Sequence, residues 1–426
     1  MKTTGNWMAC FAAVAAAGAV LAGCGGDDSS SSASKGDSSA PAATATPAAA
    51  ALGSENKASG TPITVGLLNL ESGPVAFPEY SAAAKAAVSY INDYKGGIGG
   101  HPVQLELCAT DGQPATSARC AGQVVDKKPA FILGGADIGG PGSFPIYEKA
   151  KLAYLGGVPF TPVESNAPNS VEFISISIGD NLAAAKYAVD QFHPKKAVVL
   201  YTDNTQGKAI GVGVITPSLK SQGVDTKPIP VPESTGDLSS VAASAIQAQP
   251  DLIYVNTPNA CPQILKALKA VGNTAKLAGI ELCTAPPALK AAGDAAEGIF
   301  VADPFDSLDA GTDDTNLFLA AMQKYGGKAV VLDSLAQAAF SSVMNVQERL
   351  NDVKDLNTDA ILGAFKDGQS HPNFMAHEYT CDGKQLPANA AICNAYQRIK
   401  TVKDGKVIPA TDEWVSGASN YQPATH

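Results

Sequence analysis

Glu281 is the carboxylate whose position in the sequence is most indicative of chemistry. It lies near the end of a short, mostly apolar segment, residues 276–282, of the kind that forms a buried strand. A second apolar run, residues 298–302, follows and is closed by Asp303. Ligands of open α/β sheets bind beyond the carboxyl ends of the strands. Glu281 is therefore placed to meet a positively charged group of a ligand, and a solvated loop acid is the simpler alternative.

A glycine-rich segment, residues 134–142, is the second place where the sequence offers chemistry. Main-chain N–H groups around Gly139 and Gly140 can form a nest for an anion. The segment lacks the Lys-Ser/Thr pair of a phosphate-binding loop, which argues against nucleotide binding there. Asp137 lies in the middle of the segment and is interpreted either as a ligand contact or as a turn residue or helix cap.

Buried strands and amphipathic helices alternate along the chain in two successive sets. The first set starts with the apolar run of residues 63–70, a pattern typical of a strand buried on both faces, and the second starts near Asn181. This alternation predicts an α/β protein with two open, mainly parallel sheets flanked by helices. The predicted helices are 79–92, 114–126, 143–150, 181–191, 209–221, 238–248, 262–270 and 333–350, and the predicted strands are 63–70, 103–107, 130–134, 153–155, 197–201, 226–230, 251–256, 276–282 and 298–302.

The order of these elements predicts a chain that crosses between two lobes more than once, which creates a hinge and a cleft. The helix at 333–350 is expected to return to the first lobe, and a strand–turn–strand segment at 393–407 is expected to return to the second. The predicted division is residues 62–180 and 303–377 for lobe 1, and residues 181–302 and 378–426 for lobe 2.

The first residues have the features of an export signal. An apolar run, residues 7–21, follows a basic residue and is short for a membrane-spanning helix. The residues Leu21-Ala22-Gly23-Cys24 resemble a bacterial lipobox, in which the cysteine is lipidated and becomes the new N-terminus. This resemblance implies a signal peptide at 1–23 and a lipid anchor on Cys24, and a plain signal peptide is the alternative. Residues 24–61 are small and polar and are predicted to form a disordered tether.

The composition excludes some classes of function. The chain has 426 residues, of which 45% are hydrophobic and 16% charged, and this favours two domains with large buried sheets. Its net charge of −10 argues against a nucleic-acid partner, because nucleic acids attract basic surfaces.

Six cysteines remain when Cys10, in the signal segment, and Cys24 are set aside. Export places them in an oxidising compartment, where disulfides persist. Many pairings are possible, and the order along the chain favours the local pairs Cys108–Cys120, Cys261–Cys283 and Cys381–Cys393. The middle pair has geometric support, because both of its cysteines follow apolar runs and would lie close together at the ends of neighbouring parallel strands.

Motifs for catalysis or metal binding are missing from the sequence. It contains no Gly-x-Ser-x-Gly or His-Glu-x-x-His motif, and its five histidines have no recognisable catalytic setting. Asp137 and Glu281 are the only candidates for a pair of hydrolytic acids, so a cleft hydrolase is the least favoured function. Two histidines and two cysteines lie close together near the C-terminus: His371, His377, Cys381 and Cys393. Their spacing matches no common zinc signature. We therefore expect no enzyme activity, no metal and no organic cofactor.

Several short segments, taken in order, resemble the leucine/isoleucine/valine-binding protein family. Its members are solute-binding proteins of bacterial ABC importers and have the type I periplasmic-binding fold. The segments are Ser72-Gly73-Pro74-Val75-Ala76, Ala87-Val88-Ser89-Tyr90-Ile91-Asn92, Gly96-Gly97-Ile98-Gly99-Gly100, Ile146-Tyr147-Glu148, Gln263-Ile264-Leu265 and Gly293-Asp294-Ala295-Ala296-Glu297-Gly298. The resemblance spans residues 62–415 and implies two lobes that close around a small ligand, usually an amino acid.

The resemblance also implies roles for individual residues. Glu281 matches the acid that holds the ligand's ammonium group, a strong charge-assisted contact in a closed cleft. The segment that holds the ligand's carboxylate falls on residues 136–139, where no hydroxyl is present and Asp137 would repel a carboxylate. Further candidate ligand contacts are Phe77, Gly139, Phe160, Thr161, Gln206 and Thr257. Both phenylalanines are alternatively core residues, and the glutamine is alternatively a solvated loop residue. A polar or amine-bearing molecule, or one larger than leucine, is as well supported as a branched-chain amino acid.

The sequence therefore predicts an extracytoplasmic solute-binding lipoprotein of an ABC importer. It would be a monomer, anchored to the cell membrane through Cys24, that captures an amino acid or a related small polar solute by hinge closure and delivers it to a membrane permease. A lipid-anchored sensor that signals to a membrane partner is the alternative, because both functions use the same ligand-driven closure.

Overall fold

The structure is a computed structural model that describes residues 49–421 except residues 74, 234, 235, 328 and 329. The predicted signal peptide, Cys24 and the predicted tether up to residue 48 lie outside the described residues. The described chain forms two sheets of mainly parallel strands, each covered by helices. This architecture confirms the predicted α/β, two-lobe fold class.

The strands and helices are numbered in chain order. The strands are β1 (Ile63–Leu70), β2 (Val103–Thr110), β3 (Phe131–Leu133), β4 (Tyr154–Leu155), β5 (Ser170–Val171), β6 (Lys196–Thr202), β7 (Asp225–Val231), β8 (Leu252–Asn256), β9 (Lys276–Gly279), β10 (Phe300–Asp303), β11 (Ser370–Asn373), β12 (Ala376–Thr380), β13 (Gln397–Lys403) and β14 (Lys406–Val415). The α-helices are α1 (Pro78–Tyr94), α2 (Pro114–Val125), α3 (Gly140–Lys149), α4 (Pro162–Asn166), α5 (Gly179–Phe192), α6 (Thr205–Ile210), α7 (Thr216–Ser221), α8 (Ser239–Gln247), α9 (Cys261–Ala270), α10 (Pro286–Ala292), α11 (Asp313–Ala321), α12 (Ser334–Leu350) and α13 (Thr358–Phe365).

The first sheet has the strand order β2-β1-β3-β4-β5, and its strands run parallel. β1 is central and is buried on both faces, which explains its continuous apolar sequence. Val65 and Leu67 face a core that contains α1 and α12, whereas Leu68 faces a core that contains α2 and α3. We call this sheet and its helices lobe 1.

The second sheet has the order β14-β13-β10-β9-β8-β6-β7. Strands β6 to β10 run parallel, and the β13–β14 hairpin is added antiparallel at the edge of the sheet. Helices α8, α9 and α10 cover one face, and α5 and α7 cover the other. We call this sheet and its helices lobe 2.

Helices α1 and α12 pack against each other in lobe 1 through small, fully buried side chains, among them Ala83 and Ala87 of α1 and Ala336 and Ala339 of α12. Asp333 caps α12, because its carboxylate accepts hydrogen bonds from the N–H groups of the second and third helical residues at 3.1 and 3.0 Å. This pairing fixes the start of α12 beside the start of α1.

The described chain passes between the two sheets three times, between β5 and β6, between β10 and β11, and between β12 and β13. Two of the crossing segments pair with each other. The Glu172 N–H group donates to the Ala391 carbonyl at 2.9 Å, and the Cys393 N–H group donates to the Glu172 carbonyl at 2.8 Å. Few residues cross between the sheets, so a change in their backbone angles would turn one lobe relative to the other.

Residues 50–61 lie against lobe 1, which corrects the end of the predicted tether. The Asn56 and Ala58 N–H groups donate to the carbonyls of Asp93 and Asn92 at 2.9 and 2.8 Å, and Leu52 is buried in the core of the lobe. The sequence prediction relied on the lack of large apolar side chains. It missed these residues because backbone hydrogen bonds hold several of them, Asn56 and Ala58 to the end of α1 and Ser59 and Gly60 to the Gly100 carbonyl.

The six cysteines form the disulfides Cys108–Cys120, Cys261–Cys283 and Cys381–Cys393, the pairing that the sequence order favours. The middle pair agrees with the geometric argument. Strands β8 and β9 are parallel neighbours, and the Cα atoms of Cys261 and Cys283 lie 5.5 Å apart just beyond their carboxyl ends. This disulfide therefore fixes the turn that follows β9, on which Glu281 lies.

Candidate functional site

The candidate binding residues lie at the carboxyl ends of parallel strands in both lobes. In lobe 1, Phe77 follows β1, Asp137 follows β3, and Phe160 and Thr161 follow β4. In lobe 2, Gln206, Thr257 and Glu281 follow β6, β8 and β9. Parallel strands end at the same edge of their sheet, which is where open α/β proteins bind ligands. The backbone therefore brings all seven residues to the carboxyl edges of the two sheets, and Gln206 differs from the others in being exposed to solvent.

Glu281 starts a single 3₁₀ turn, Glu281–Cys283, directly after β9. The Thr284 N–H and hydroxyl groups both donate to the Glu281 carbonyl at 2.8 Å, and the Cys261–Cys283 disulfide holds the other end of the turn. The side chain is half-buried and lies near the Ser334 hydroxyl, at the start of α12 in lobe 1. The turn that carries this carboxylate of lobe 2 is thus constrained at a point where the two lobes meet.

The surroundings of Glu281 favour its neutral form. Burial, followed by the negative charges of Asp303 and Asp333, raises its pKa from an ordinary value of 4.5 to about 8, against the opposing effects of Lys400 and the Ser334 hydroxyl. A positively charged ligand group would remove this penalty by pairing with the carboxylate. Glu281 therefore has the electrostatics of an acid that lacks its counter-charge.

Lys400 does not supply that counter-charge in full, because it already pairs with Asp303. Its ammonium nitrogen lies 2.8 Å from Asp303 Oδ2, and both side chains are buried. The second oxygen of Asp303 accepts a hydrogen bond from the Phe305 N–H group at 2.9 Å. The pair lies on the face of the lobe 2 sheet that α9 and α10 cover, next to Glu281.

Glu79 is a second enclosed acid, in the first turn of α1 in lobe 1. Burial raises its pKa to about 7, with smaller contributions from Asp333 and Glu71, while its own N–H group opposes the shift. Asp333 acts on both Glu79 and Glu281, so acids of the two lobes converge at the start of α12. Sequence reasoning missed Glu79, although its position directly after Phe77-Pro78 at a helix start was a usable signal.

Asp137 turns back onto its own loop. Its Oδ1 atom accepts hydrogen bonds from the Thr110 hydroxyl at 2.8 Å and from the Gly139 N–H group at 3.1 Å. A side chain at Gly139 would collide with the Ser117 hydroxyl, since a Cβ atom there would lie 1.9 Å from it. Asp137 therefore occupies the N–H group that the sequence analysis offered to a ligand anion, and its geometry is that of the alternative turn-residue interpretation.

Thr161 is likewise occupied within its own helix start. It is the N-cap of α4, and its N–H group donates to Glu164 Oε2 at 2.9 Å while its hydroxyl contacts the same carboxylate. Glu164 is buried, and burial raises its pKa to about 7 in spite of these hydrogen bonds. This is a capping box, in which cap and acid satisfy each other.

Phe77 and Phe160 form a stacked pair, with ring centroids 5.7 Å apart and ring planes 28° from parallel. Phe77 is buried in the core of lobe 1, and Phe160 is half-buried and packs against that core. The pair thus closes the core at the edge that carries Thr161, as the core alternative proposed, and only Phe160 leaves part of its ring exposed at the strand ends.

Thr257 and Gln206 differ sharply. Thr257 is fully buried beyond β8, and its hydroxyl has no hydrogen-bond partner among the described residues, which is uncommon for a buried polar atom. Gln206 is exposed on α6, whose N-cap is the neighbouring Asn204. The structure therefore brings Thr257 to the strand ends beside Glu281 and leaves Gln206 in solvent, as its alternative interpretation proposed.

A comparison with protein families matches residues 62–396 to the family described as periplasmic binding protein. The chain belongs to this family. No curated protein matches this periplasmic binding protein. Its membership makes it a solute-binding protein of the ABC-transporter type, which acts outside the cytoplasm.

Solved structures of several solute-binding proteins share the fold. A solute-binding protein of an ABC transporter from Rhodopseudomonas palustris, in complex with p-hydroxybenzoic acid, is 20% identical with a TM-score of 0.70, over 84% of this chain and 98% of that chain. A leucine-binding protein from Thermotoga maritima is 16% identical with a TM-score of 0.66, over 83% and 99%. A branched-chain amino acid transporter substrate-binding protein from Streptococcus pneumoniae, in complex with isoleucine, is 17% identical with a TM-score of 0.65, over 84% and 100%. The resemblance seen in the sequence is thereby confirmed for family and fold, and identities this low say nothing of the ligand.

Two further observations concern alternatives raised by the sequence. In the part of the chain that the structure describes, no helix is long and apolar enough to cross a membrane. The described residues also contain no group of three or more His, Cys, Asp and Glu side chains arranged to hold a metal ion, and Cys381 and Cys393 are joined in a disulfide.

Proposed function

We propose that this periplasmic binding protein is the lipid-anchored solute-binding component of an ABC importer and that it captures an amino acid or a related small polar solute by closing its two lobes. The observation that carries the proposal is Glu281, a carboxylate beyond β9 at the point where the lobes meet, whose pKa is raised to about 8 by burial and by the neighbouring acids Asp303 and Asp333. A ligand's ammonium group between the lobes would supply that charge. We propose no catalytic step and no cofactor.

Capture by closure follows from the position of the acid. Glu281 belongs to lobe 2, whereas Asp333 and Ser334, its neighbours, belong to lobe 1. A ligand that binds Glu281 and contacts lobe 1 at the same time stabilises the closed arrangement over the open one. Binding free energy would then shift the open–closed equilibrium, and the permease would receive the closed, loaded form.

Anchoring through Cys24 is the second part of the proposal. It rests on the lipobox resemblance of residues 21–24, and it would keep the protein near the permease on the outer face of the membrane. We expect Cys24→Ser to move the protein from the membrane fraction to the soluble fraction. The matched control is Cys10→Ser, in the same predicted signal segment, which should remain in the membrane fraction. Membrane retention of Cys24→Ser would contradict the anchor.

The binding function is tested by a thermal-shift screen of the protein without residues 1–24, against amino acids, amides, polyamines and aromatic acids. A ligand at a hundredfold excess over its dissociation constant stabilises the native state by about 2.7 kcal/mol, so a true ligand gives a clear increase in Tm. Small-angle X-ray scattering of the same sample should show a smaller radius of gyration with that ligand. A ligand that stabilises the protein but changes neither the scattering nor the intrinsic fluorescence of Trp414 would contradict capture by closure.

Trp414 offers an independent signal for closure. It is the single tryptophan beyond the predicted signal peptide, since the chain's other tryptophan is Trp7. Its ring lies 5.6 Å from that of His377, on β12 next to lobe 1, and 4.0 Å from the Arg398 guanidinium in lobe 2. A change in lobe angle would alter these contacts, so ligand binding should change the intrinsic fluorescence.

A further inference from the structure

Three hydrogen-bond donors at the strand ends of lobe 1 are already used by its own acids. The Gly139 N–H group and the Thr110 hydroxyl donate to Asp137, and the N–H group of Thr161 donates to Glu164. A ligand carboxylate would normally take donors of this kind, at loops and helix starts beyond parallel strands. Here it would have to displace an internal carboxylate and would meet its negative charge.

Prolines remove further donors at the same edge of each sheet. Helices that follow parallel strands begin at the strands' carboxyl ends, and the first helical N–H groups there would otherwise attract anions. Proline has no N–H group, and it stands in the first two positions of six such helices: α1, α2, α3, α4, α9 and α10. Each of these helix starts therefore offers one N–H group fewer to an anionic ligand.

The charged side chains near Glu281 also disfavour an anionic ligand and favour a cationic one. Lys400 is paired with Asp303, and Arg398 is paired with Asp306 at 2.8 Å. Among the described residues, neither Glu79 nor Glu281 forms a salt bridge. The point where the lobes meet therefore has carboxylates in surplus, and a cation is the group that would balance them.

Two uncharged features suit an organic cation. Phe160, which stacks on the buried Phe77 and is half-buried itself, offers part of an aromatic surface at the strand ends of lobe 1, and aromatic faces attract ammonium groups. In lobe 2, the buried Thr257 hydroxyl lacks a partner and can accept a hydrogen bond from an N–H donor. Both features lie at the strand ends that carry the acids.

We infer that the ligand is an organic ammonium ion without a carboxylate group, such as an alkylamine, an aromatic amine or a diamine. This inference rests on the proposed solute-binding function and names the chemical class of the solute. The ammonium group pairs with Glu281 and Glu79, the apolar part lies against Phe77 and Phe160, and Asp137 and Glu164 exclude molecules that carry a carboxylate.

The test is calorimetric titration with matched pairs that differ by one carboxylate: leucine and 3-methylbutylamine, phenylalanine and 2-phenylethylamine, and lysine and cadaverine. The inference predicts that the amine of the best-binding pair binds at least about tenfold more tightly than its amino acid, a difference of about 1.4 kcal/mol. Tighter binding of the amino acid overturns the inference and leaves the proposed function intact. The panel also includes 4-hydroxybenzoate, an acid without an amine. If it binds and no amine binds, the inference is overturned and the proposed function is again left intact.

If none of the tested compounds binds, the inference is also overturned. The proposed function is then judged separately by native mass spectrometry of the protein purified from its own cells, where a co-purified small solute supports it and an empty protein that never responds to solutes contradicts it. The two failures are thus distinguishable.

The variant Asp137→Asn tests the exclusion of carboxylates. Asparagine keeps an acceptor for Thr110 and Gly139 but removes the negative charge. We expect the amine-to-amino-acid affinity ratio to fall by about threefold or more, because a like charge no longer faces the ligand carboxylate. The control is Asp359→Asn, an exposed acid on α13, which should leave the ratio unchanged. An unchanged ratio in Asp137→Asn would contradict its role in exclusion.

Discussion

The strand ends of lobe 1 and those of lobe 2 carry the same kinds of side chains but differ in the partners of their acids. In lobe 1, Glu164 and one oxygen of Asp137 accept hydrogen bonds from neighbouring hydroxyl or N–H groups, while the Oδ2 atom of Asp137 has no partner among the described residues. In lobe 2, Glu281 lacks a counter-charge and the Thr257 hydroxyl lacks a partner. Both edges were built by the same β-then-helix arrangement, so the difference comes from individual residues and not from the fold.

This comparison distinguishes polar groups that have partners within the protein from polar groups that a ligand could pair with. A satisfied buried acid contributes to the shape of its own loop, whereas an unsatisfied one carries a free-energy penalty that a ligand can remove. In the proposed site, lobe 2 supplies Glu281, and lobe 1 supplies Glu79, an apolar surface and electrostatic exclusion.

Removing one disulfide from each lobe gives the largest expected effects. We expect Cys108→Ser/Cys120→Ser and Cys261→Ser/Cys283→Ser each to lower the free energy of unfolding by about 3 kcal/mol, measured by chemical denaturation. Only the lobe 2 variant should also lose ligand affinity, because its disulfide fixes the turn that carries Glu281. Equal affinity losses in the two variants would contradict the proposed difference between the lobes.

The same substitution in the two lobes should give different results. Thr110→Val removes a hydroxyl whose hydrogen is donated to Asp137 Oδ1 at 2.8 Å, with the Asn69 carbonyl as a second acceptor at 3.1 Å, so we expect a loss of about 1–3 kcal/mol in stability. Thr257→Val removes a hydroxyl that has no partner among the described residues, so stability should hardly change. Ligand affinity should fall by about fivefold in Thr257→Val, as for the loss of one hydrogen bond. A large loss of stability in Thr257→Val would show that its hydroxyl is structural.

The pH dependence of stability gives a smaller, sharper test of Glu281. Its pKa is about 8 in the native state and 4.5 ordinarily, so between these values the native protein binds more protons than the unfolded one. Native stability must then decrease as pH rises through this window. The amide of Glu281→Gln does not titrate. The Tm of this variant relative to that of the wild type should therefore increase by about 2 °C or more between pH 5 and pH 8.5. A Tm difference that is constant with pH, or largest at pH 5, would contradict the raised pKa.

The fold could be predicted from the sequence where burial leaves a strong pattern. β1 is buried on both faces, and its continuous apolar run predicted its bounds at residues 63–70, as observed. Two short elements, β5 and α4, were missed because two and five residues carry no periodicity, whereas β4, which is also two residues long, was predicted at residues 153–155. The β11–β12 hairpin was missed as well, since its strands are largely polar and separated from both main sheets.

The site was predicted in part. The position of Glu281 after a strand could be predicted because the apolar pattern of one segment, residues 276–282, is enough to indicate it. Its electrostatic environment was not visible, since Asp333 and Lys400 reach it from distant parts of the sequence through α12 and β13. The placement of Asp137 shows the converse limit, because a sequence reveals a carboxylate in a loop and does not reveal that Thr110 of another strand already binds it.

The central claim is that Glu281 binds the positive group of the solute. It is tested most directly by calorimetric titration of wild type and Glu281→Gln with the tightest solute of the screen, and with Glu148→Gln, an exposed acid of lobe 1, as control. The account predicts a loss of about 30-fold or more for Glu281→Gln, about 2 kcal/mol, because the ligand's buried charge is left unpaired. Glu148→Gln should bind as the wild type does. An affinity of Glu281→Gln within twofold of the wild type would remove Glu281 from the site and contradict the account.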